Sequence, residues 1–262
     1  MVFACDHRIG VSWNLPYVRF GGPESECCIR CENKIEGKLV NADETAKIYW
    51  LWKNLDQFGS DIIGYCQYRR FFTTVYTNLP VINIRHEQFK SEFAMTPFQQ
   101  EALIKKHNAD GILHPAFNVV DFSRTPFTYI WEQIEILTGE DMLPKDCQKA
   151  AFDIFLSCTP SYLQDHMRDA FSIDKNYLCN IFTVKVEIFN QFGNIAFKAI
   201  PQVINLVGDR ASNLHPYWLA YLLERYTSCY YHCLELNGSK FLKVPLMTID
   251  AGKHIGKDGK LR

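Results

Sequence analysis

The feature that most constrains the fold is a regular alternation of short apolar runs with longer amphipathic segments. Apolar runs of strand length stand at residues 2–5, 61–66 and 111–114, and segments with a helical spacing of apolar residues separate them. Strands that alternate with helices predict an α/β fold with a mostly parallel central sheet flanked by helices. No repeat, low-complexity tract or Gly/Ser linker interrupts the pattern, which predicts one domain over residues 1–262.

Weaker patterns complete the predicted order of elements. Further strands are expected at residues 17–20, 178–186 and 240–244. Residues 24–40 are polar and are predicted to be irregular. Helices are expected at residues 41–59, 87–107 (interrupted near Pro97), 127–137, 146–170 (broken at Pro160), 187–200 and 216–233.

The first long helix has a recognisable start. Asn41 and Glu44 have the spacing of a capping box, with Asn41 as the N-cap and Glu44 three residues later. This capping role accounts for Glu44 without any ligand. The aromatic residues Tyr49, Trp50 and Trp52 on the same helix fit a core more readily than a sugar-binding platform.

Charge and cysteine content exclude some classes of protein. The formal net charge of −1 provides no basic field that would attract nucleic acid.

No stretch resembles a signal peptide or a membrane span, so we expect a soluble, cytoplasmic protein in which the ten cysteines are reduced. Residues 27–31 carry three cysteines that resemble half of a zinc site. Cys229 and Cys233 are the available second half, but their spacing favours a helix face.

Ligands of parallel α/β sheets bind beyond the carboxyl ends of the strands. In this chain that rule indicates residues 6–8, residues 67–70 and His114. Arg69 and Arg70 are the sharpest candidates, because the planar guanidinium fork suits phosphate and a buried, unpaired arginine is unfavourable. A sugar-nucleotide diphosphate would pair with them. The alternative is that one arginine pairs with an internal carboxylate and the other is solvated.

Three further positions carry polar groups with two interpretations each. His7 ends the first strand, where a base or ribose often binds, and is otherwise a polar strand end. Asn180 stands inside a predicted apolar strand, where asparagine is rare, and would need a ligand hydroxyl or a loop carbonyl as a partner. Glu224 either forms a surface pair with Arg225 or acts as a general base toward an acceptor hydroxyl.

Sequence signatures of several other enzyme classes are missing. The chain has no P-loop, no G-x-G-x-x-G, no G-x-S-x-G and no H-E-x-x-H motif. It also has no Asp-x-Asp at a strand end, the motif with which many GT-A glycosyltransferases hold a divalent metal on the diphosphate. No metal ligand is therefore predicted, although Mn²⁺ or Mg²⁺ stays open as a cofactor.

Two adjacent segments carry a family resemblance. E-T-A-K-I-Y-W-L-W-K-N at residues 44–54 and D-I-I-G-Y-C-Q-Y-R-R-F-F at residues 61–72 resemble a bacterial family of capsular or exopolysaccharide glycosyltransferases, formerly a domain of unknown function. The family pattern is close to E-L-T-A-x-Y-W-x-W-K-N followed by H-Y-R-R-Y-F. Weaker similarity continues through D-G-I-L-H-P, C-N-I-F-T-V-K-V-E-I-F and L-L-E-R-Y.

The resemblance implies a GT-A-like fold that binds a nucleotide sugar, with UDP as the expected nucleotide. It implies transfer of a sugar to a saccharide or lipid-linked acceptor, with peripheral membrane contact where the acceptor is lipid-linked. It implies functional roles for His7, Glu44, Arg69, Arg70, Asn180 and Glu224. The predicted catalytic residues are Arg69, Arg70 and Glu224, and the predicted nucleotide-sugar-binding residues are His7, Arg8, Glu44, Tyr68, Arg69, Arg70, His114 and Asn180.

One departure from the family pattern bears on catalysis. Gln67 replaces the family histidine just before Tyr68, and glutamine neither transfers protons nor binds metals well. The resemblance therefore leaves two hypotheses. One is an active glycosyltransferase in which arginine charge replaces the metal wholly or in part. The other is a non-catalytic protein that binds a sugar nucleotide or glycan in a polysaccharide assembly complex.

Overall fold

The computed structural model describes 15 stretches of the chain. They are residues 2–6, 17–20, 34–35, 38–39, 44–66, 70–75, 79, 81–85, 88, 90–118, 143, 145–173, 175–177, 180–214 and 218–250. Six α-helices lie within these stretches: α1 (Glu44–Lys53), α2 (Pro97–His107), α3 (Lys145–Cys158), α4 (Gln164–Phe171), α5 (Val186–Val207) and α6 (Trp218–Leu236).

The strands of the described residues form one large sheet and three small ones. They are β1 (Val2–Asp6), β2 (Tyr17–Phe20), β3 (Lys34–Ile35), β4 (Lys38–Leu39), β5 (Ile62–Cys66), β6 (Arg70–Phe72), β7 (Val81–Arg85), β8 (Gly111–Leu113), β9 (Phe117–Asn118), β10 (Lys175–Asn176), β11 (Phe182–Lys185), β12 (Phe241–Lys243) and β13 (Leu246–Asp250).

The central sheet has six strands in the order β12-β8-β11-β5-β1-β2. β1 runs parallel to β2 and to β5, and β12 runs parallel to β8. β11 is antiparallel to both of its neighbours, β5 and β8. The α/β fold predicted from the sequence is therefore confirmed, but the sheet is mixed, because β11 enters it from the opposite direction.

Helices cover both faces of the central sheet. Ile63 and Tyr65 of β5 point into the main core, which contains the apolar faces of α1, α5 and α6. The alternate residue Ile62 points to the opposite face, where it packs with Ile104 of α2. This alternation is the two-residue period of a strand that is buried on both sides. Among the described residues, no helix is both long enough and apolar enough to cross a bilayer.

Proline marks the start of α2 and does not interrupt it. The sequence predicted a helix over residues 87–107 with a break near Pro97, but the helix begins at Pro97 itself. Thr96 is the N-cap, and its hydroxyl accepts a hydrogen bond from the Gln99 amide while the Gln99 side chain returns to the Thr96 amide. Proline suits this first helical position, because the missing N–H would have no partner there.

Asn180 lies outside the strand in which the sequence placed it. The strand predicted at residues 178–186 is shorter and begins at Phe182. Asn180 has a left-handed backbone with φ of 49°. Asparagine tolerates this conformation better than most side chains, which explains an asparagine at the entrance to an apolar strand.

The three-stranded sheet formed by β6, β13 and β7 was not predicted from the sequence. β13 lies between β6, to which it is antiparallel, and β7, to which it is parallel. Its register places Thr248 opposite Arg70.

Two short strands, β3 and β4, pair antiparallel within residues 24–40, which the sequence predicted to be irregular. Strands this short carry too little alternation for a period to be detected.

Candidate functional site

The parallel strands bring their carboxyl ends to one edge of the central sheet, here called the carboxyl edge. Cys5 of β1 pairs with Cys66 at the end of β5. Phe182, the first residue of β11, pairs with Tyr65 on one side and with Leu113, the last residue of β8, on the other. The residues that follow β1, β5 and β8 therefore lie at the same edge as the residues that precede β11.

Glu44 and Asn180 meet at this carboxyl edge. Glu44 is the first residue of α1, and its Oε2 accepts a hydrogen bond of 3.2 Å from Nδ2 of Asn180. The Asn180 side chain is 1% exposed, and its Oδ1 accepts no hydrogen bond from any described residue. A buried acceptor without a donor costs roughly 1–3 kcal/mol, so the site favours a ligand that supplies an O–H or N–H group.

The start of α1 also carries a buried charge. Lys47 is 6% exposed and stands one helical turn after Glu44, on the same face as Ile48 and Leu51. The sequence prediction passed over Lys47. Its position in the three-and-four spacing of buried residues was the available signal, because a lysine on a buried helix face needs a specific partner.

Arg70 is the described member of the predicted arginine pair. It is half-buried at the first position of β6, opposite Thr248 of β13. Only three residues separate it from Cys66 at the end of β5, so it lies next to the carboxyl edge. Gln67, Tyr68 and Arg69 lie outside the described residues, as do His7 and Arg8 beyond the end of β1.

His114 follows β8 directly but is completely buried. Its Nδ1 lies 2.7 Å from the carbonyl oxygen of Pro115, and its ring meets Tyr177 edge-on at a centroid distance of 5.7 Å. The hydrogen bond to a carbonyl places the proton on Nδ1. His114 thus belongs to the wall beneath the carboxyl edge.

Glu224 lies on α6, which leads at its carboxyl end into the first residue of β12. A helix that feeds a parallel strand runs back along the sheet, so α6 begins on the side of the carboxyl edge. Glu224 is half-buried in the second turn. Its neighbour Arg225 is 3% exposed and lies in the core. The alternative of a surface pair between Glu224 and Arg225 is therefore wrong, because Arg225 is not at the surface.

The aromatic residues of α1 pack against the core. Trp52 stacks on Phe197 with a centroid distance of 5.4 Å, and Tyr49 meets the same ring edge-on at 5.0 Å. Trp50 lies 6.2 Å from Phe58. These contacts agree with the core interpretation of the three residues.

A polar cluster near the end of β12 was not predicted from the sequence. It is called the Glu235 cluster and consists of Tyr177, His232, Glu235 and Lys243. Oε1 of Glu235 lies 2.5 Å from Nζ of Lys243, and Oε2 accepts a hydrogen bond from the Tyr177 hydroxyl. Nδ1 of His232 lies 3.6 Å from the same Oε2, and its ring stacks on Tyr177.

The Glu235 cluster holds a carboxylate, not a proton-transfer group. Burial opposes ionisation of Glu235, but the nearby His232 ring and the hydrogen bonds from Lys243 and Tyr177 outweigh it and lower its pKa to about 2. Burial lowers the pKa of Lys243, and Glu235 counteracts this. Burial and the Glu235 carboxylate raise the pKa of the Tyr177 hydroxyl. A carboxylate with so low a pKa is a poor general base near neutral pH.

The cysteines show no metal site within the described residues. Cys229 and Cys233 are buried one helical turn apart on α6, and burial raises the pKa of the Cys229 thiol to about 11. No group of three or more His, Cys, Asp or Glu side chains converges in the part of the chain that the structure describes. Residues 27–31, the other half of the zinc alternative, lie outside it.

The chain belongs to the family described as "Domain of unknown function (DUF4422)", whose model matches residues 38–233, more than half of the sequence. Among solved structures, the apo structure of WbbM, a bifunctional glycosyltransferase, superposes with a TM-score of 0.70 at 16% sequence identity. The superposition covers 95% of this chain and 45% of WbbM, so this chain spans less than half the length of that protein. A comparison with curated proteins found no match.

At this sequence identity the likeness to WbbM shows the fold. This chain and part of a glycosyltransferase share an arrangement of helices and a mixed sheet. The likeness does not show which residues of the two proteins correspond at the site. The roles of the site residues are therefore argued from the geometry of the carboxyl edge.

Proposed function

We propose that the chain is a GT-A-like glycosyltransferase. It transfers a sugar from a nucleoside-diphosphate donor, a UDP-sugar, to a saccharide or lipid-linked acceptor in the synthesis of surface polysaccharide. The observation that carries the proposal is the pair of half-buried Glu44 and buried Asn180 at the carboxyl edge, where the Asn180 carboxamide oxygen has no donor among the described residues. The fold shared with part of WbbM supports the class of reaction.

The chemistry of the edge divides the donor into two parts. Glu44 and the Oδ1 atom of Asn180 present acceptors, and a carboxylate repels phosphate, so this position suits the hydroxyl groups of the sugar. Arg70 stands near the end of β5, the strand next to β11. Neighbouring strands lie about 4.8 Å apart, so a diphosphate at β5 places its attached sugar at β11.

Arginine supplies the positive charge in this proposal. Arg69 and Arg70 stabilise the negative charge that develops on the diphosphate leaving group as the bond to the sugar breaks. The described residues offer no acidic cluster that would hold a metal on that diphosphate. In this proposal arginine replaces a divalent cation wholly or in part, and assays with EDTA, Mn²⁺ and Mg²⁺ measure how far.

Glu224 is the proposed general base if the reaction inverts the sugar configuration. Its half-buried position near the start of α6 places it on the side of the carboxyl edge. It would accept the proton of the acceptor hydroxyl as that oxygen attacks the sugar. Glu224→Gln should lower kcat by about 100-fold or more while donor binding is retained. A kcat near that of the wild type would remove Glu224 from this role.

Donor binding is the direct test of the arginine assignment. Isothermal titration with UDP should show at least a tenfold loss of affinity in Arg70→Ala, because one charge-assisted hydrogen bond contributes about 1.5–3 kcal/mol. Arg70→Lys keeps the charge without the planar fork and should bind with intermediate affinity. Wild-type isotherms in Arg69→Ala and Arg70→Ala together would overturn the assignment.

A second candidate function follows from Gln67, which replaces the histidine of the resembled family. In that case the carboxyl edge binds a sugar nucleotide or a glycan without transferring the sugar. Incubation with a panel of nucleotide sugars separates the two functions. Release of the nucleoside diphosphate, with transfer or hydrolysis of the sugar, supports the enzyme. Tight binding without either product supports the non-catalytic protein.

The proposed reaction places the protein in the cytoplasm, where nucleotide sugars are made. A lipid-linked acceptor would bring it into peripheral contact with the inner face of the membrane. Co-sedimentation with anionic vesicles that carry a lipid-linked saccharide tests this contact, and vesicles without the saccharide are the control.

A further inference from the structure

A groove on the outer face of α5 lies apart from the carboxyl edge. It has a volume of about 490 Å³ and is here called the carboxamide groove, after Asn190, Gln191 and Asn194, which line it. β11 runs from Phe182, two residues after Asn180 at the carboxyl edge, to Lys185 at the opposite edge, and α5 begins there with Val186. The groove occupies the first half of α5, the half that follows the end of β11 and not its start.

The helix itself aligns the polar groups of the groove. Glu187, Asn190, Asn194 and Lys198 recur at three- and four-residue intervals and are exposed. This spacing places them in one row about 16 Å long, at 1.5 Å per residue. Glu187 and Lys198 have opposite charges and stand at the two ends of the row. The groove therefore carries no net charge between them, which disfavours phosphates and nucleic acids.

Trp52 holds Asn190 in place from the side. The indole N–H of Trp52 donates a hydrogen bond of 3.1 Å to Oδ1 of Asn190. The ring fits against Gly193, where a Cβ atom would lie 2.2 Å from it. Nδ2 of Asn194 bonds the backbone carbonyl of Asn190 at 2.8 Å. Within the described residues, the amide N–H groups of Asn190 and the Oδ1 of Asn194 are left to face a ligand.

An exposed aromatic residue is hydrogen-bonded to Gln191, one of the residues that line the groove. Tyr162 is 63% exposed, and its hydroxyl accepts a hydrogen bond from Nε2 of Gln191. Oε1 of Gln191 accepts another hydrogen bond, of 2.7 Å, from the Tyr230 hydroxyl. The Gln191 side chain is therefore held at both ends, and it holds the Tyr162 hydroxyl in position. Such a ring offers an apolar face beside a polar edge. Uncharged carboxamides with a fixed, exposed aromatic ring match the hydroxyl groups and the C–H face of a sugar.

We propose that the carboxamide groove is a glycan-binding site for a neutral oligosaccharide. Asn190 and Asn194 bind the sugar hydroxyls, and Tyr162 packs against a sugar ring. The site shares no lining residue with the donor edge and holds the saccharide chain while the reacting end reaches that edge. It depends on the chemistry of the groove and not on whether the carboxyl edge is catalytic.

The test measures binding of fluorescently labelled neutral hexasaccharides of galactose, mannose, glucose or rhamnose by fluorescence anisotropy. At least one should bind to the wild-type chain. Tyr162→Ala should weaken that binding about tenfold. Tyr162→Phe should keep most of the wild-type affinity, because phenylalanine keeps the ring. Asn194→Ala should weaken binding about fivefold, as expected for one lost hydrogen bond. Alanine favours the helix, so this variant should fold.

Two controls separate this proposal from the donor site. Asn205→Ala changes an exposed carboxamide on the same helix, beyond the groove, and should bind the hexasaccharide as the wild type does. Arg70→Ala should lose UDP binding but keep hexasaccharide binding, while Tyr162→Ala should do the reverse. Failure of all four hexasaccharides to bind would overturn the proposal, as would binding that is unchanged in Tyr162→Ala combined with Asn194→Ala. Neither result would alter the donor-site proposal.

Discussion

Two polar side chains of this protein, Glu235 and Asn180, have opposite surroundings, and the difference indicates which one serves a ligand. Glu235 receives hydrogen bonds or ionic contacts from Tyr177, His232 and Lys243, so its capacity is filled by the protein. Glu44 is bonded to Asn180, whose buried Oδ1 accepts no hydrogen bond from the described residues. A filled network stabilises the fold, whereas an incomplete one favours a ligand that completes it.

The largest expected effect is on activity at the incomplete site. Asn180→Gly should lower kcat/KM by about 100-fold, because it removes the bond to Glu44 and the acceptor for the ligand. Glycine adopts a positive φ readily, so thermal stability should change little. Asn180→Ala provides the comparison, because it makes the same deletion with added backbone strain. Wild-type kcat/KM in Asn180→Gly, measured against a UDP-sugar, would break the contrast between Glu235 and Asn180.

The next effect is on stability at the filled site. Glu235→Gln should lower the free energy of unfolding by about 2 kcal/mol, because it removes a charge that several donors surround. UDP affinity should stay unchanged, since the Glu235 cluster does not supply a ligand group in this interpretation. Urea unfolding measures the first quantity and titration calorimetry the second. A variant that keeps full stability but loses UDP binding would reverse the assignment.

The pH dependence of unfolding sharpens the same comparison. The pKa of Glu235 is lowered to about 2 in the folded protein, from 4.5 as the ordinary value. A lowered carboxyl pKa stabilises the fold fully above pH 4.5, and this stabilisation is lost as the pH falls toward 2. The wild type should therefore lose stability more steeply over this window than Glu235→Gln. Parallel urea curves for the two proteins between pH 5 and pH 3 would contradict this.

The smallest effect is expected from Tyr177→Phe. It removes one hydroxyl that donates to Glu235 and keeps the ring that stacks on His232 and meets His114. We expect a loss of about 1 kcal/mol in the free energy of unfolding. A double-mutant cycle with Glu235→Gln should show that the two losses are not additive, because they share one interaction. Additive losses would mean that the hydroxyl acts independently of Glu235.

The carboxyl edge was predictable from the sequence because local patterns determine it. Apolar runs end at Cys66 and Leu113, and the rule for parallel sheets then brings their ends together. The family resemblance added Glu44 and Asn180, and the structure places these two in contact. The left-handed turn at Asn180 was missed, because an apolar run does not show which of its residues leaves the strand.

Features made by contacts between distant residues could not be predicted in this way. The Glu235 cluster joins Tyr177, on a loop, to residues of α6 and β12, and no spacing rule connects them. The carboxamide groove needs the turn after α3 to lie beside α5. β13 was missed because its partners, β6 and β7, are more than 160 residues away along the chain. In each case tertiary packing, not local propensity, decides the structure.

The pairing of Arg70 with Thr248 has a consequence for how the protein is made. During synthesis on the ribosome, the strand that begins with Arg70 emerges long before its partner β13 exists. The guanidinium group cannot be fixed in its final position until residues 246–250 have emerged and paired. Contacts between such distant residues form slowly. The part of the molecule that we propose binds the diphosphate is therefore completed only after β13 has emerged from the ribosome.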